Sequence, residues 1–193
     1  MSVLVTGFEP FGGSTVNPSQ QLVAALDGDI AKALLPVSYA RAADALRAAV
    51  AEHDPDVVIS FGQADGRTAI SVERFAHNFD ETTTTDNDEA PGSGVPIDPE
   101  GPIAYASSLP VDDIVAALRV EAIPAAPSRD AGGFLCNHVF YVLMRMLERE
   151  TRDRRGGFVH VPLLPEQALD KDAPSMPLDM LVRAAEIIVA TSD

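Results

Sequence analysis

Cysteine is almost absent from this sequence: a single one stands among 193 residues, at position 136. One thiol permits no internal disulfide, which excludes a disulfide-stapled secreted scaffold and makes a reducing cytoplasm the expected compartment. Basic residues are scarce as well, 14 Lys and Arg against 29 Asp and Glu, for a formal net charge of -15. That sign opposes binding to phosphate backbones and anionic lipid, so the expected partners include no nucleic acid and no membrane. No apolar run approaches the roughly eighteen residues of a spanning helix. Met1-Ser2 enters a strand-like segment at once, which leaves no room for a signal peptide. Internal repeats and a convincing domain boundary are missing too. Residues 1–193 are therefore expected to form a single domain, large enough to bury a core without disulfides or metal.

What the sequence does hold is an alternation of strand-like and helix-like periods joined by short polar connections. Ser2 to Thr6 is predicted as a strand, and Asn17-Pro18 as a cap with proline at the first position of a helix through about Leu26. Leu34 to Tyr39 follows as a strand, Ala42 to Ala51 as an amphipathic helix, and Asp56 to Phe61 as a central buried strand. A strand through Glu73, helices around Val111 to Leu118 and from Cys136 to about Arg149, a strand through His160 and a helix around Leu178 to Ala190 complete the order. That order predicts an α/β fold, an open twisted sheet flanked by helices on both faces, with reactive groups gathered on loops and element ends at one edge. The long connection is Asp80 to Gly101, which carries many acids, no base and little apolar surface. It reads either as a plain surface loop or as a lid or wall of a site.

The lone cysteine lies in Ala131-Gly132-Gly133-Phe134-Leu135-Cys136-Asn137-His138-Val139-Phe140-Tyr141. A glycine pair followed by apolar positions Val139, Leu143, Met146 and Leu147 places it at a helix start, where backbone N–H groups and the helix dipole favour a thiolate nucleophile. Buried cysteines more often just fill space, so the reading depends on an imidazole to take the proton and a group to orient it. Of the four histidines, His138 points to another helical face from Cys136, His53 lies in a polar connection, and His77 remains open. His160, in the apolar run Gly157-Phe158-Val159-His160-Val161-Pro162, is the best placed. Glu73 interrupts a strand whose alternation puts Ser71, Glu73 and Phe75 on one face, where a solvent-facing glutamate would be ordinary. Glycines 7, 12 and 13 suggest a phosphate cradle only weakly, since no Gly-Lys-Ser/Thr follows.

Three segments carry a resemblance: ISVERFAHNFD at 70–80, AGGFLCNHVFY at 131–141 and FVHVPLLPEQ at 158–167. With VLVTGFEPFGG and Val16-Asn17-Pro18-Ser19 near the start, and GPIAYASSLP and PSMPLDML later, they resemble the motif blocks of the pyroglutamyl peptidase I family, in family order over essentially the whole chain. The resemblance implies a cysteine exopeptidase that removes an N-terminal pyroglutamyl residue from peptides. It implies a triad of Cys136, His160 and Glu73, a ring pocket with Phe8, Phe11 and Gln63, no metal or cofactor, and a homo-oligomer, commonly a tetramer. The mechanism expected of these residue types is attack by the Cys136 sulfur, a thioacyl intermediate, and an oxyanion held by the Cys136 amide.

Two departures stand out. Thr83 occupies the place where relatives carry an arginine thought to act near the oxyanion, and Arg129-Asp130-Ala131-Gly132-Gly133 replaces Asn-Thr-Ala-Gly-Thr before the cysteine. They predict reduced activity and keep two alternatives in view: another cysteine amidohydrolase of small amides, or a non-enzymatic ligand-binding protein on the same fold.

Overall fold

Alternation along each strand decides which side chains reach which layer. In the computed structural model, which describes residues 1–192, the elements run β1 (Val3–Phe8), α1 (Pro18–Ala25), β2 (Ala31–Leu35), α2 (Ala42–His53), β3 (Val57–Gln63), β4 (Ile70–Glu73), β5 (Phe75–His77), β6 (Ala104–Ala106), α3 (Val111–Val120), β7 (Ala125–Ser128), α4 (Leu135–Arg149), β8 (Arg155–Val161), α5 (Pro165–Ala168) and α6 (Leu178–Thr191). Six strands form one sheet in the order β2-β1-β3-β8-β4-β7, while β5 and β6 form a separate antiparallel pair. Neighbours in the large sheet are parallel except β4 against β8, so the sheet is mixed.

Helices cover both faces, as expected. Val3, Val5, Val57, Ile59, Ile70, Val72, Val159 and Val161 pack with Leu22, Ile114, Leu118, Leu181 and Ile188 of α1, α3 and α6. The alternate positions Leu4, Val58 and Phe158 pack with Leu46 of α2 and with Val139, Phe140 and Leu143 of α4. Full burial of a side chain of this kind is worth roughly 1.5–3 kcal/mol. Several on one stripe of α4 hold that helix, and therefore Cys136, at a fixed height above the sheet. The same parity points Ser71 and Glu73 of β4 away from the face of Ile70 and Val72, toward α4, and sends His160 the same way as Phe158.

Several expectations need correction. The second strand spans Ala31–Leu35, and Val37 to Tyr39 bond instead with the acidic stretch: Val37 O accepts from Asn87 N at 2.9 Å, and Tyr39 N donates to Asp86 at 2.8 Å. The strand through Glu73 breaks at Arg74, so Glu73 is fully buried in the large sheet while Phe75 is exposed in the small one. The 80–101 stretch is no free loop. Asp86 accepts from the amides of Asp88 and Ala90, Asp88 pairs with Arg41, and Asp98 pairs with Arg145 of α4.

Candidate active site

Two ends of the sheet's α4 face converge on the start of α4. The Asp130 carboxylate accepts from Gly132 N at 2.8 Å, and Gly132 adopts φ 81°, a left-handed turn suited to glycine. At Gly133 a Cβ would lie 2.3 Å from the Glu81 carbonyl oxygen, so only a bare backbone passes between that carbonyl and the helix start. Helix α4 then begins at Leu135 with Phe134 as its N-cap and no side-chain cap, which leaves the amides of its first turn without a side-chain acceptor there.

Cys136 sits in that first turn, half-buried, with its sulfur directly over the central strand. A Cβ at Gly62 would lie 2.8 Å from Sγ and 2.7 Å from the Phe158 ring, so glycine is the residue that leaves room for the thiol. Gly62 pairs in register with His160 on β8, and Ser71 on β4 pairs with His160 from the other side. Cys136 and His160 line one cavity of about 260 Å³. Behind His160, Glu73 Oε1 lies 2.8 Å from Nδ1. A carboxylate accepts, so Nδ1 carries the proton and Nε2 is left as the basic nitrogen toward the cavity. Glu73 itself is fully buried, and its Oε1 also meets Arg67 Nη1 at 3.2 Å.

The surroundings of Cys136 work against the thiolate that a helix start favours. Burial first, and the Glu73 charge second, push the thiol up to about 12, against smaller opposing effects of Arg67 and its own backbone amide. Both effects favour the thiol over the thiolate, which gives a base the task of taking its proton as it attacks.

Phe8, Phe11, Val37, Ala64, Ala131, Phe134 and Leu135 give the cavity apolar walls, with Asn17, Gln63, Asp65 and Arg67 as polar points. Phe8 ends β1 rather than standing on a loop, is only 3 % exposed, and packs on Phe158 at a ring separation of 6.3 Å. Phe11 stacks at 5.8 Å against Phe134. Gln63 ends β3 and is held from both sides, its amide donating to Asp65 at 2.8 Å and its carbonyl accepting from Gln167 at 3.1 Å. A larger cavity of about 790 Å³ adjoins this one, sharing Phe11, Gln63, Asp65 and Phe134, and continues along Gly12 to Val16, Thr84, Glu166 and Lys171.

The pyroglutamyl peptidase family model matches residues 1–193. The chain belongs to the pyroglutamyl peptidase family. Among curated relatives it is 47% identical over 97% of its length to a pyrrolidone-carboxylate peptidase of Clavibacter michiganensis, and 45% identical over 98% to one of Bacillus licheniformis, covering 91% of each. The crystal structure of pyroglutamyl peptidase I from Bacillus amyloliquefaciens superposes with a TM-score of 0.96 at 43% identity, over 99% of this chain and 94% of that one.

Within this family member, the other histidines fall away from the thiol. His53 ends α2 and is exposed. His77 is bound at the edge of β5, its backbone N–H donating to Asn137 Oδ1 and its ring facing the Arg129 carbonyl. His138 Nδ1 lies 2.6 Å from Asp80. Thr83 is exposed and lines neither cavity. Residues that the sequence did not single out are Phe134, Gly62, Asn17 as a cavity wall, and Asn137. The last is fully buried and clamps α4 to the chain after Glu73 by donating to the carbonyls of His77 and Phe79. Only Phe134 and Asn137 had a signal, their places beside Cys136 in the motif block.

Proposed function

We propose that this protein is a cysteine exopeptidase that removes N-terminal pyroglutamate from peptides, with Cys136 as nucleophile, His160 as general base and acid, and Glu73 as the group that orients the imidazole. The observation that carries this reading is the shared cavity of Cys136 and His160 with Glu73 bonded to the remote imidazole nitrogen. As Sγ bonds to the pyroglutamyl carbonyl carbon, its proton passes to His160 Nε2. The oxygen that gains charge is held by first-turn amides of α4, that of Cys136 foremost. His160 then gives the proton to the departing amine, the C–N bond breaks, and a thioester remains. Water attacks it, losing a proton to His160, and free pyroglutamate leaves as the thiol is restored.

The smaller cavity suits a compact neutral lactam: apolar walls with Phe8 and Phe11, and Gln63 offering both donor and acceptor to the ring amide. The larger cavity would take the residues that follow in the peptide. A soluble cytoplasmic enzyme is supported by the single unpaired cysteine and by the absence, among the described residues, of a helix long and apolar enough to cross a membrane. A homo-oligomer, a tetramer in particular, follows from the family resemblance and is checked by light scattering. Activity is tested with matched chromogenic amides. The pyroglutamyl amide should turn over, while the prolyl amide, whose ring is charged and lacks the lactam carbonyl, should be rejected by orders of magnitude. Comparable turnover of the two would refute the pocket assignment.

A further inference from the structure

Among the residues lining the smaller cavity, Arg67 is the only lysine or arginine. Its two terminal nitrogens reach different halves of the site. Nη1 lies 3.2 Å from Glu73 Oε1, which orients the imidazole, and Nη2 donates at 2.9 Å to the carbonyl of Asp130, in the turn that delivers Cys136. Glu73 needs such a partner. A fully buried carboxylate is unfavourable unless paired, and its Oε2 has no hydrogen-bond partner among the described residues, so His160 and Arg67 together hold it through one oxygen.

We propose that Arg67 is a positioning residue for this reaction: its guanidinium ties Glu73 to the turn before Cys136, keeps His160 aimed at the sulfur, and offsets the carboxylate's charge where negative sulfur must form. Its contacts are with Glu73 and the turn, and it reaches the sulfur only through its charge. The Glu73 charge raises the thiol's pKa and the Arg67 charge lowers it, which matches the second half of the role. The exposed position of Thr83, outside both cavities, leaves Arg67 as the cation that this site possesses. Lysine would keep the charge but, as a single point donor, would not span both partners in the way the planar fork does.

The proposal rests on the thiol mechanism above, and its test separates the two. Iodoacetamide alkylation of the single cysteine needs no peptide substrate and reports thiolate formation directly. In Arg67→Met the alkylation profile should move to higher pH, making labelling about three- to tenfold slower at a fixed pH near 8, since an opposite charge nearby shifts such groups by about a unit or less when partly screened. Arg67→Lys should return the profile close to wild type. With a pyroglutamyl amide, Arg67→Met should lower kcat with little change in KM, and Arg67→Lys should recover only part of it. In a Glu73→Gln background Arg67→Met should lower kcat little further, because the carboxylate it positions is gone, while the alkylation profile should still move. An unmoved alkylation profile, full additivity with Glu73→Gln in kcat, or loss of the fold in Arg67→Met would each overturn the proposal. A shifted profile without turnover of any pyroglutamyl amide would leave Arg67 in place and remove the substrate reading instead.

Discussion

Two imidazole–carboxylate pairs flank the same helix start, and they differ less in their bonds than in their surroundings. His160 and Glu73 meet at 2.8 Å, His138 and Asp80 at 2.6 Å, each through Nδ1. In both, one carboxylate oxygen has no partner among the described residues. His160 lines the cavity with Cys136, and its carboxylate has a second cation in Arg67. His138 instead packs edge-on against Tyr39 at 5.5 Å, and burial followed by the Asp80 charge raises the Tyr39 hydroxyl well above its ordinary range. A histidine next to a carboxylate is thus no signature of catalysis in itself. Two residues along the helix from Cys136 is the wrong face, whereas the strand beside the one beneath the sulfur is the right one.

The strongest way to break this contrast is at the sulfur. Cys136→Ala and Cys136→Ser should both abolish turnover with unchanged melting behaviour, and iodoacetamide incorporation should track inactivation one for one. Near-wild-type activity in either variant would remove the thiol mechanism. Next, His160→Ala should lower kcat by about three orders of magnitude or more, as loss of a base that serves a nucleophile does. His138→Ala should spare turnover of the folded protein and instead lower stability, by about 1–3 kcal/mol for the buried Asp80 group left unpaired. Denaturant titration beside the kinetic assay decides it: the reverse pattern would move the base to His138. Glu73→Gln should be milder than His160→Ala, because an amide oxygen can still accept from Nδ1.

The comparison extends to the two aromatic walls. Phe8→Ala should both raise KM and destabilise the fold by about 3–5 kcal/mol, the usual loss for a buried phenylalanine. Phe11→Ala, on a half-buried loop, should raise KM with little change in melting temperature. Equal destabilisation would show that Phe11 is core and not wall.

Much of this was legible in the residues because one rule governed it. Hydrophobic periodicity laid out most strands and helices in order, Asp56 to Phe61 as a central buried strand among them, and Asn17-Pro18 marked the start of α1, where Asn17 does cap by accepting from Ser19 N at 3.0 Å. The motif blocks brought Glu73, Cys136 and His160 forward together. Illegible were the features set by distant partners. β7 contains Pro127 and is possible only because it lies at the sheet's edge, which no local pattern announces. Nothing local ties Arg67 to the site until Glu73 and Asp130 are placed beside it. The high thiol is a balance of burial and charge from three chain segments, and the helix start alone pointed the other way.

That balance yields the smallest effect. The thiol is held near 12 in the fold against 9.0 in an ordinary setting, so the native state keeps a proton that the unfolded chain releases. This contribution to stability is intact below about pH 9 and is lost as pH climbs toward the folded value. Melting temperatures of wild type and Cys136→Ala should therefore converge or cross between about pH 8 and 11, the wild type falling more steeply. Parallel alkaline limbs would mean that the thiol ionises freely in the native protein.

The bare backbone at Gly62 makes the nucleophile a dependent of the sheet's register. Sulfur rests on a central strand paired on both sides, with no hinge of its own between helix and sheet. A one-residue slip of that strand would exchange its faces and bring the side chain of Phe61 or Gln63 to the spot where Sγ now lies. A methyl group there would compete for space with the thiol on one side and the Phe158 ring on the other. Alignment of the reacting atom is therefore inherited from the most cooperative part of the molecule. The enzyme cannot lose it by local fraying near the loops, only by disturbing the core strands themselves.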